Sequence, residues 1–241
     1  MIPKEIMKLY EKLAFSRGYE EAFRDFLDVC LYYLSVGMLA EDYRRVEKRY
    51  KPYEMELFVQ MFYRVSEYSE GFCDVLGDMF MECVSHGNNG QFFTPPDICD
   101  LMVLCTDSGE TATGKRICDP TCGSGRLLLA YHVRHLGNYL VAEDVNRTCC
   151  LMTVCNMLVH GCIGEVIHHD SLFPENFMDG WMVNHTLTQT GIPTIRRMSK
   201  EEYRTSRNMS VDLLRKRKEK LRQMQLDKKQ LPYKHGRIYK Q

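Results

Sequence analysis

The sequence predicts an α/β fold: a parallel sheet of the nucleotide-binding kind, preceded by a helical domain and followed by a basic helical tail. Three observations carry this. Between Arg116 and His168 short apolar runs alternate with helix-length segments, the signature of βαβ units. The first run leads into a glycine turn, Asp119-Pro-Thr-Cys-Gly-Ser-Gly125, that opens a helix. Ahead of both, residues 1 to about 86 carry apolar stripes at helical spacing.

In the helical domain, 1–86, Phe23, Phe26, Leu27, Cys30, Leu31 and Leu34 form one stripe. Leu57, Phe58, Met61, Phe62 and Val65 form a second, and Val75, Leu76, Met79, Phe80 and Cys83 a third. Such stripes are core and carry no chemistry. His86-Gly-Asn-Asn-Gly90 is a turn cluster and marks the boundary to a second domain, 87–195. Pro95-Pro96 opens a short helix carrying Ile98, Leu101, Met102 and Leu104, with Thr94 as its cap. A polar loop, 107–115, precedes strand Ile117–Asp119. Then follow a helix over about 125–135, strand Tyr139–Ala142, a helix over about 147–160 and strand Glu165–His168. Trp181-Met-Val183 is a candidate fourth strand, and no apolar strand is expected beyond Gly191. The tail, 196–241, contains a charged helix over 208–230 with Leu214 and Leu221 as a thin apolar seam, and the C-terminus is expected to be loose.

Apolar residues make up 44% and charged residues 27% of the 241, ordinary for a soluble globular chain. No apolar run is long enough to span a bilayer, and residues 1–17 lack the apolar stretch of a signal peptide, so a cytoplasmic location away from membranes is expected. The eleven cysteines include the adjacent pair Cys149-Cys150 but no Cys-x-x-Cys, which points to reduced thiols. Cys118, Cys122 and the nearby histidines match no zinc spacing, and no metal is expected. The zero net charge hides an asymmetry. Residues 196–241 carry 16 Lys and Arg against 5 Asp and Glu, a balance of +11, so residues 1–195 carry −11. A basic tail on an acidic body suits phosphate contact with DNA through Arg196–Lys240, or an acidic protein surface, or a merely solvated helix.

The candidate site follows from the strand ends. Gly123 and Gly125, just after a strand, let backbone approach a ligand without Cβ interference. Amides at the helix start favour an anionic group such as a carboxylate. Asp119 can pair with an ammonium or order the loop. Glu143 and Asp144 end the second strand, where a carboxylate can accept both hydroxyls of a ribose; Glu143, directly after the apolar run, is the preferred one. Asp170, after the third strand, can accept from the amine of an adenine ring.

With those residues in place, the chain resembles the adenine-N6 DNA methyltransferases, in particular the modification subunit of type I restriction systems. Gly90-Gln-Phe-Phe-Thr-Pro95 is similar to that family's motif ahead of the cofactor domain, and Asp119–Gly125 to its S-adenosylmethionine loop. Glu143 matches its ribose acid, Asn156–Gly161 the end of the next helix, and Asp170-Ser-Leu172 its adenine-contacting turn. The likeness spans about 85–185. It implies a Rossmann-like class I S-adenosylmethionine-dependent methyltransferase sheet. The cofactor contacts it implies are Gln91, Phe92, Thr94, Asp119, Thr121, Cys122, Gly123, Ser124, Gly125, Glu143, Asp144, Asp170 and Ser171.

Two departures bear on activity. The family's catalytic Asn-Pro-Pro-aromatic motif orients the target amine and stacks on the flipped base. Here the matching stretch reads Val183-Asn-His-Thr-Leu187, so Asn184 and His185 are the catalytic candidates, without the prolines. The sheet is also expected to be incomplete, leaving an edge for a partner chain or oligomer to cover. The reading is therefore an S-adenosylmethionine-binding, adenine-N6 DNA methyltransferase-like protein. The alternatives are an inactive regulatory or DNA-binding relative, or one half of a split enzyme.

Overall fold

The computed structural model describes residues 2–85, 92–106 and 113–230. It divides into a compact unit, Met1–Met198, and a second unit, Ser199–Gln241.

The first unit opens with helices α1 (Lys4–Ala14), α2 (Tyr19–Leu34), α3 (Ala40–Glu47) and α4 (Pro52–Tyr68). Proline at the first position of α4 needs no amide partner, and the Glu54 carboxylate accepts the Lys51 amide at 2.8 Å, which together set that helix start. A short helix α5 (Val75–Met79) runs into a π-helical stretch, Phe80–Ser85. Phe23, Phe26, Leu27, Phe58, Met61 and Met79 are fully buried, so the three stripes do form the core of this part.

Helix α6 (Pro96–Thr106) precedes the sheet. Strands β1 (Arg116–Asp119), β2 (Tyr139–Asp144) and β3 (Gly164–His168) are parallel and adjacent, joined by helices α7 (Arg126–Arg134) and α8 (Arg147–Val159). Helix α8 is apolar on all sides because it is enclosed: it packs on β2 and β3 beneath and on α2 above. Leu140, Ala142, Val166, Trp181 and Val183 face this core. The alternate positions carry a polar array instead, in which Glu165 accepts from Arg116 at 2.6 Å and from the Tyr139 hydroxyl at 3.0 Å.

The sheet then departs from expectation. Strand β4 (Asp179–Val183) runs antiparallel to β3, and a strand absent from the sequence reading, β5 (Ile195–Arg197), runs antiparallel to β4. The order is β1-β2-β3-β4-β5, so β1 and β5 are its edges. A parallel return needs a crossover of a dozen or more residues, usually helical. Residues 169–178 supply ten, without a helix, and the chain doubles back. Short helix α9 (Leu187–Thr190) lies in the β4–β5 connection. The sequence concealed β5 because Ile-Arg-Arg holds one apolar residue.

In the second unit, helix α10 (Lys200–Gln230) starts eight residues earlier than the sequence reading places it. Ser199 and Glu202 form a reciprocal cap: the Ser199 amide donates to the Glu202 carboxylate at 2.9 Å, and the Glu202 amide to the Ser199 hydroxyl at 3.2 Å. The side chains of Leu214 and Leu221 and everything beyond 230 lie outside the described residues.

Candidate functional site

The C-terminal ends of β1, β2 and β3 lie side by side, because Asp119 is in register with Ala142, and Glu143 and Asp144 with Ile167 and His168. This register brings Asp119, Glu143, Asp144 and the Asp170–Ser171 turn to one edge of the sheet. The glycine loop closes over it. Gly123 and Gly125 take φ of +56° and +83°, the left-handed region where a Cβ is strained. A Cβ on Gly123 would come within 2.9 Å of the Phe93 ring, and one on Gly125 within 2.9 Å of Thr153. The loop is thus packed tightly from behind.

Four of the loop amides are bonded within the protein. Thr121 donates to Asp119 Oδ1 at 3.1 Å, Cys122 to the Glu143 carbonyl at 2.9 Å, Gly123 to Asp144 Oδ2 at 2.9 Å and Gly125 to the Cys122 carbonyl at 2.8 Å. Asp144 also accepts the Asn146 amide at 2.7 Å, so both its oxygens hold backbone. Asp170 Oδ1 accepts the Leu172 amide at 2.9 Å, and the Ser171 hydroxyl donates to the Pro120 carbonyl at 2.6 Å, tying the third turn to the first.

Electrostatically, the edge is acidic. Burial raises the Asp119 carboxyl above its usual range, and the charges of Asp144 and Glu143 push the same way against the Thr121 hydrogen bond. Burial likewise raises Asp144, opposed by the Asn146 and Gly123 amides. Glu143 differs. Burial alone would raise it, but buried His169, whose Nε2 is 3.0 Å from Glu143 Oε2, outweighs that with hydrogen bonding and charge and leaves the carboxyl below its usual value. Cys118 contacts Glu143 Oε1 at 3.7 Å, and burial pushes its thiol up to about 12. Three carboxylates crowded at one edge complement a cationic ligand, such as one carrying an ammonium or a sulfonium.

Of the remaining expected contacts, Phe92 is exposed and its neighbour Phe93 is the ring that covers Gly123, stacked 5.5 Å from Phe80. Thr94 is exposed, with its carbonyl 3.5 Å from Arg126 Nη1. Gln91 lies outside the described residues.

Asn184 and His185 are not brought to this edge. Val183 pairs with Gly164, the first residue of β3, so Asn184 lies at the opposite end of the sheet. The offset is about 13 Å, four residue steps of a strand. Asn184 is fully buried and structural: its Nδ2 donates to the carbonyls of Met157 at 3.1 Å and Cys162 at 2.9 Å, and its Oδ1 accepts the Thr194 amide at 3.1 Å. His185 is exposed beside it, with Nδ1 3.5 Å from Thr194 Oγ1. The antiparallel turn of β4 is the physical reason the expected catalytic placement does not occur.

The sequence reading missed three residues behind the loop: Asp74, Asn156 as a side chain, and His169. A buried asparagine within the apolar run of α8 and a lone acid three residues before Gly77 were the signals available.

Residues 72–190 match the family model for N-6 DNA methylase. This segment belongs to the N-6 DNA methylase family. No curated protein matches the chain. Among solved structures, it is similar to a Listeria monocytogenes protein described as a class I S-adenosylmethionine-dependent methyltransferase, at 15% identity and a TM-score of 0.47, over 70% of this chain and 53% of that one. It is also similar to a type I restriction-modification system methyltransferase subunit from Streptococcus thermophilus, at 20% identity and a TM-score of 0.40, over 69% of this chain and 39% of that one. The chain thus spans about half, or less, of the length of these structures.

Proposed function

We propose that this chain binds S-adenosylmethionine at the β1–β3 edge and acts as an adenine-N6 DNA methyltransferase-like protein. The carrying observation is the convergence of the glycine loop, Glu143 and Asp170 at the ends of three adjacent parallel strands. Glu143 would hold the ribose hydroxyls, Asp170 with Ser171 the adenine side, and Asp119 with the loop Thr121–Gly125 the methionine end. Asp144 acts on the loop, not on the ligand, since both its oxygens hold backbone amides. The acidic edge fits the group's two positive charges, on its ammonium and its sulfonium. When bound, the cofactor supplies an electrophilic methyl group. Calorimetric titration of S-adenosylmethionine, with Glu143→Ala as control, tests the reading: binding lost in the variant supports it, and equal binding by both proteins refutes it.

One observation favours a second reading of activity. Asn184 is buried at the other end of the sheet and spends its amide on structure, so in this conformation it does not orient an adenine amine at the cofactor edge. The chain then serves as a cofactor-binding module, and a partner chain completes the site. Methylation assays on DNA with the purified chain alone distinguish the two: turnover returns the role to this chain, and none leaves it with a partner.

Contact with DNA phosphates is assigned to Arg196–Lys240 on its charge balance; its residues beyond 230 lie outside the described ones. Removal of residues 208–241 should abolish a steeply salt-dependent DNA affinity. Affinity unchanged by the deletion removes the tail from this role.

A further inference from the structure

The glycine loop is held from below by a carboxylate that belongs to the helical part of the chain. Asp74 caps α5, accepting the Gly77 amide at 2.8 Å through Oδ1. The same oxygen accepts Asn156 Nδ2 at 2.8 Å, and that amide nitrogen also donates to the Ser124 carbonyl at 2.8 Å. The other oxygen accepts the Ser124 hydroxyl and, at 2.8 Å, Arg126 Nε. Arg126 then reaches on to Asp78 at 2.6 Å. The Asp74 side chain is 3% exposed and that of Arg126 12%, so the pair is shielded from water. Gly77 has no room for a side chain: a Cβ there would collide with the Asp74 carboxylate and approach Ser124 Oγ within 2.7 Å.

One carboxylate therefore joins four segments: the α5 start, the glycine loop, the first residue of α7 and the last turn of α8. Buried charge of this kind costs desolvation, and its geometry must be satisfied at every partner. Here the partners on the loop side are both the side chain and, through Asn156, the backbone of the residue between the two glycines. We propose that Asp74 is a positioning residue for cofactor binding, setting the loop's bound-ready conformation from the helical domain so that this domain is part of the cofactor site. This rests on the reading of the loop as the cofactor site.

The test uses the full chain, with S-adenosylmethionine affinity measured by calorimetry and amide hydrogen exchange measured without ligand. Asp74→Asn places an amide donor against Arg126 Nε. It should weaken binding at least tenfold and speed exchange in 119–126 while 139–144 stays protected. Adding Arg126→Gln sets an amide oxygen where Nε was, and the double variant should recover both properties. Unchanged loop exchange in Asp74→Asn, or exchange rising equally in 139–144, overturns the proposal. Should Asp74→Asn not fold, Ser124→Ala removes one donor to the same carboxylate, and unchanged loop exchange there overturns it equally. A wild-type chain that does not bind the cofactor refutes the site reading alone, because the exchange arm still decides what Asp74 does.

Discussion

Replacing Asn184 by alanine should cost stability, not chemistry. The side chain makes three buried hydrogen bonds. Met157 O keeps the Cys162 amide at 2.9 Å, so the variant strands two groups, the Thr194 amide and the Cys162 carbonyl. Each buried unsatisfied group costs about 1–3 kcal/mol. The backbone adds to this: Asn184 has φ of +54°, which asparagine tolerates and alanine does not, for about 1 kcal/mol more. The expected loss is about 3–7 kcal/mol, a large share of the roughly 5–15 kcal/mol by which domains are stable. Urea unfolding followed by Trp181 fluorescence reads it directly, since this is the chain's single tryptophan, fully buried three residues from the change. Asn184→Gly removes the backbone strain and should recover about 1 kcal/mol relative to alanine. A loss below about 1 kcal/mol in Asn184→Ala would refute the structural role and return the residue to the catalytic candidates.

Three further outcomes follow from the same geometry. Asp28 is buried at 2% exposure and its carboxyl is raised to about 6, first by burial and then by Asp42, with Arg45 opposing. A raised acid contributes stability below its unfolded value, near 3.9, that is lost as pH rises through 6; Asp28→Asn should abolish a decline of about 2–3 kcal/mol between pH 4 and 6.5, checked by urea midpoints across that range. Gly164→Ala drives a Cβ into the Leu140 carbonyl of the neighbouring strand and should lower stability by about 3 kcal/mol, seen as an earlier thermal midpoint. His185→Ala, at an exposed site, should change stability by no more than about 0.5 kcal/mol and leave cofactor affinity unaltered in calorimetry.

The sequence by itself determined the parts whose information is local. The apolar stripes of α2 and α4, the turn Asp119–Gly125 and the acids at the ends of β2 and β3 are each legible within a few residues, because helical period, glycine freedom and strand length are short-range properties. The parallel order of β1–β3 follows from their helical crossovers. What only the tertiary structure decided concerns pairing across the chain. The sense of β4 depends on what ten residues without a helix can span, and β5 exists because β4 offers it an edge, whatever its own polarity. From that reversal comes the transfer of Asn184 from the cofactor edge to the far end of the sheet. Asp74 illustrates the same point from the other side. As a lone acid in a helical segment it reads as an ordinary cap, and only the fold places it 50 residues away from Ser124 in sequence and in contact with it in space. Strand sense and long-range polar pairing are set by how whole segments close on one another, and no window of sequence contains them.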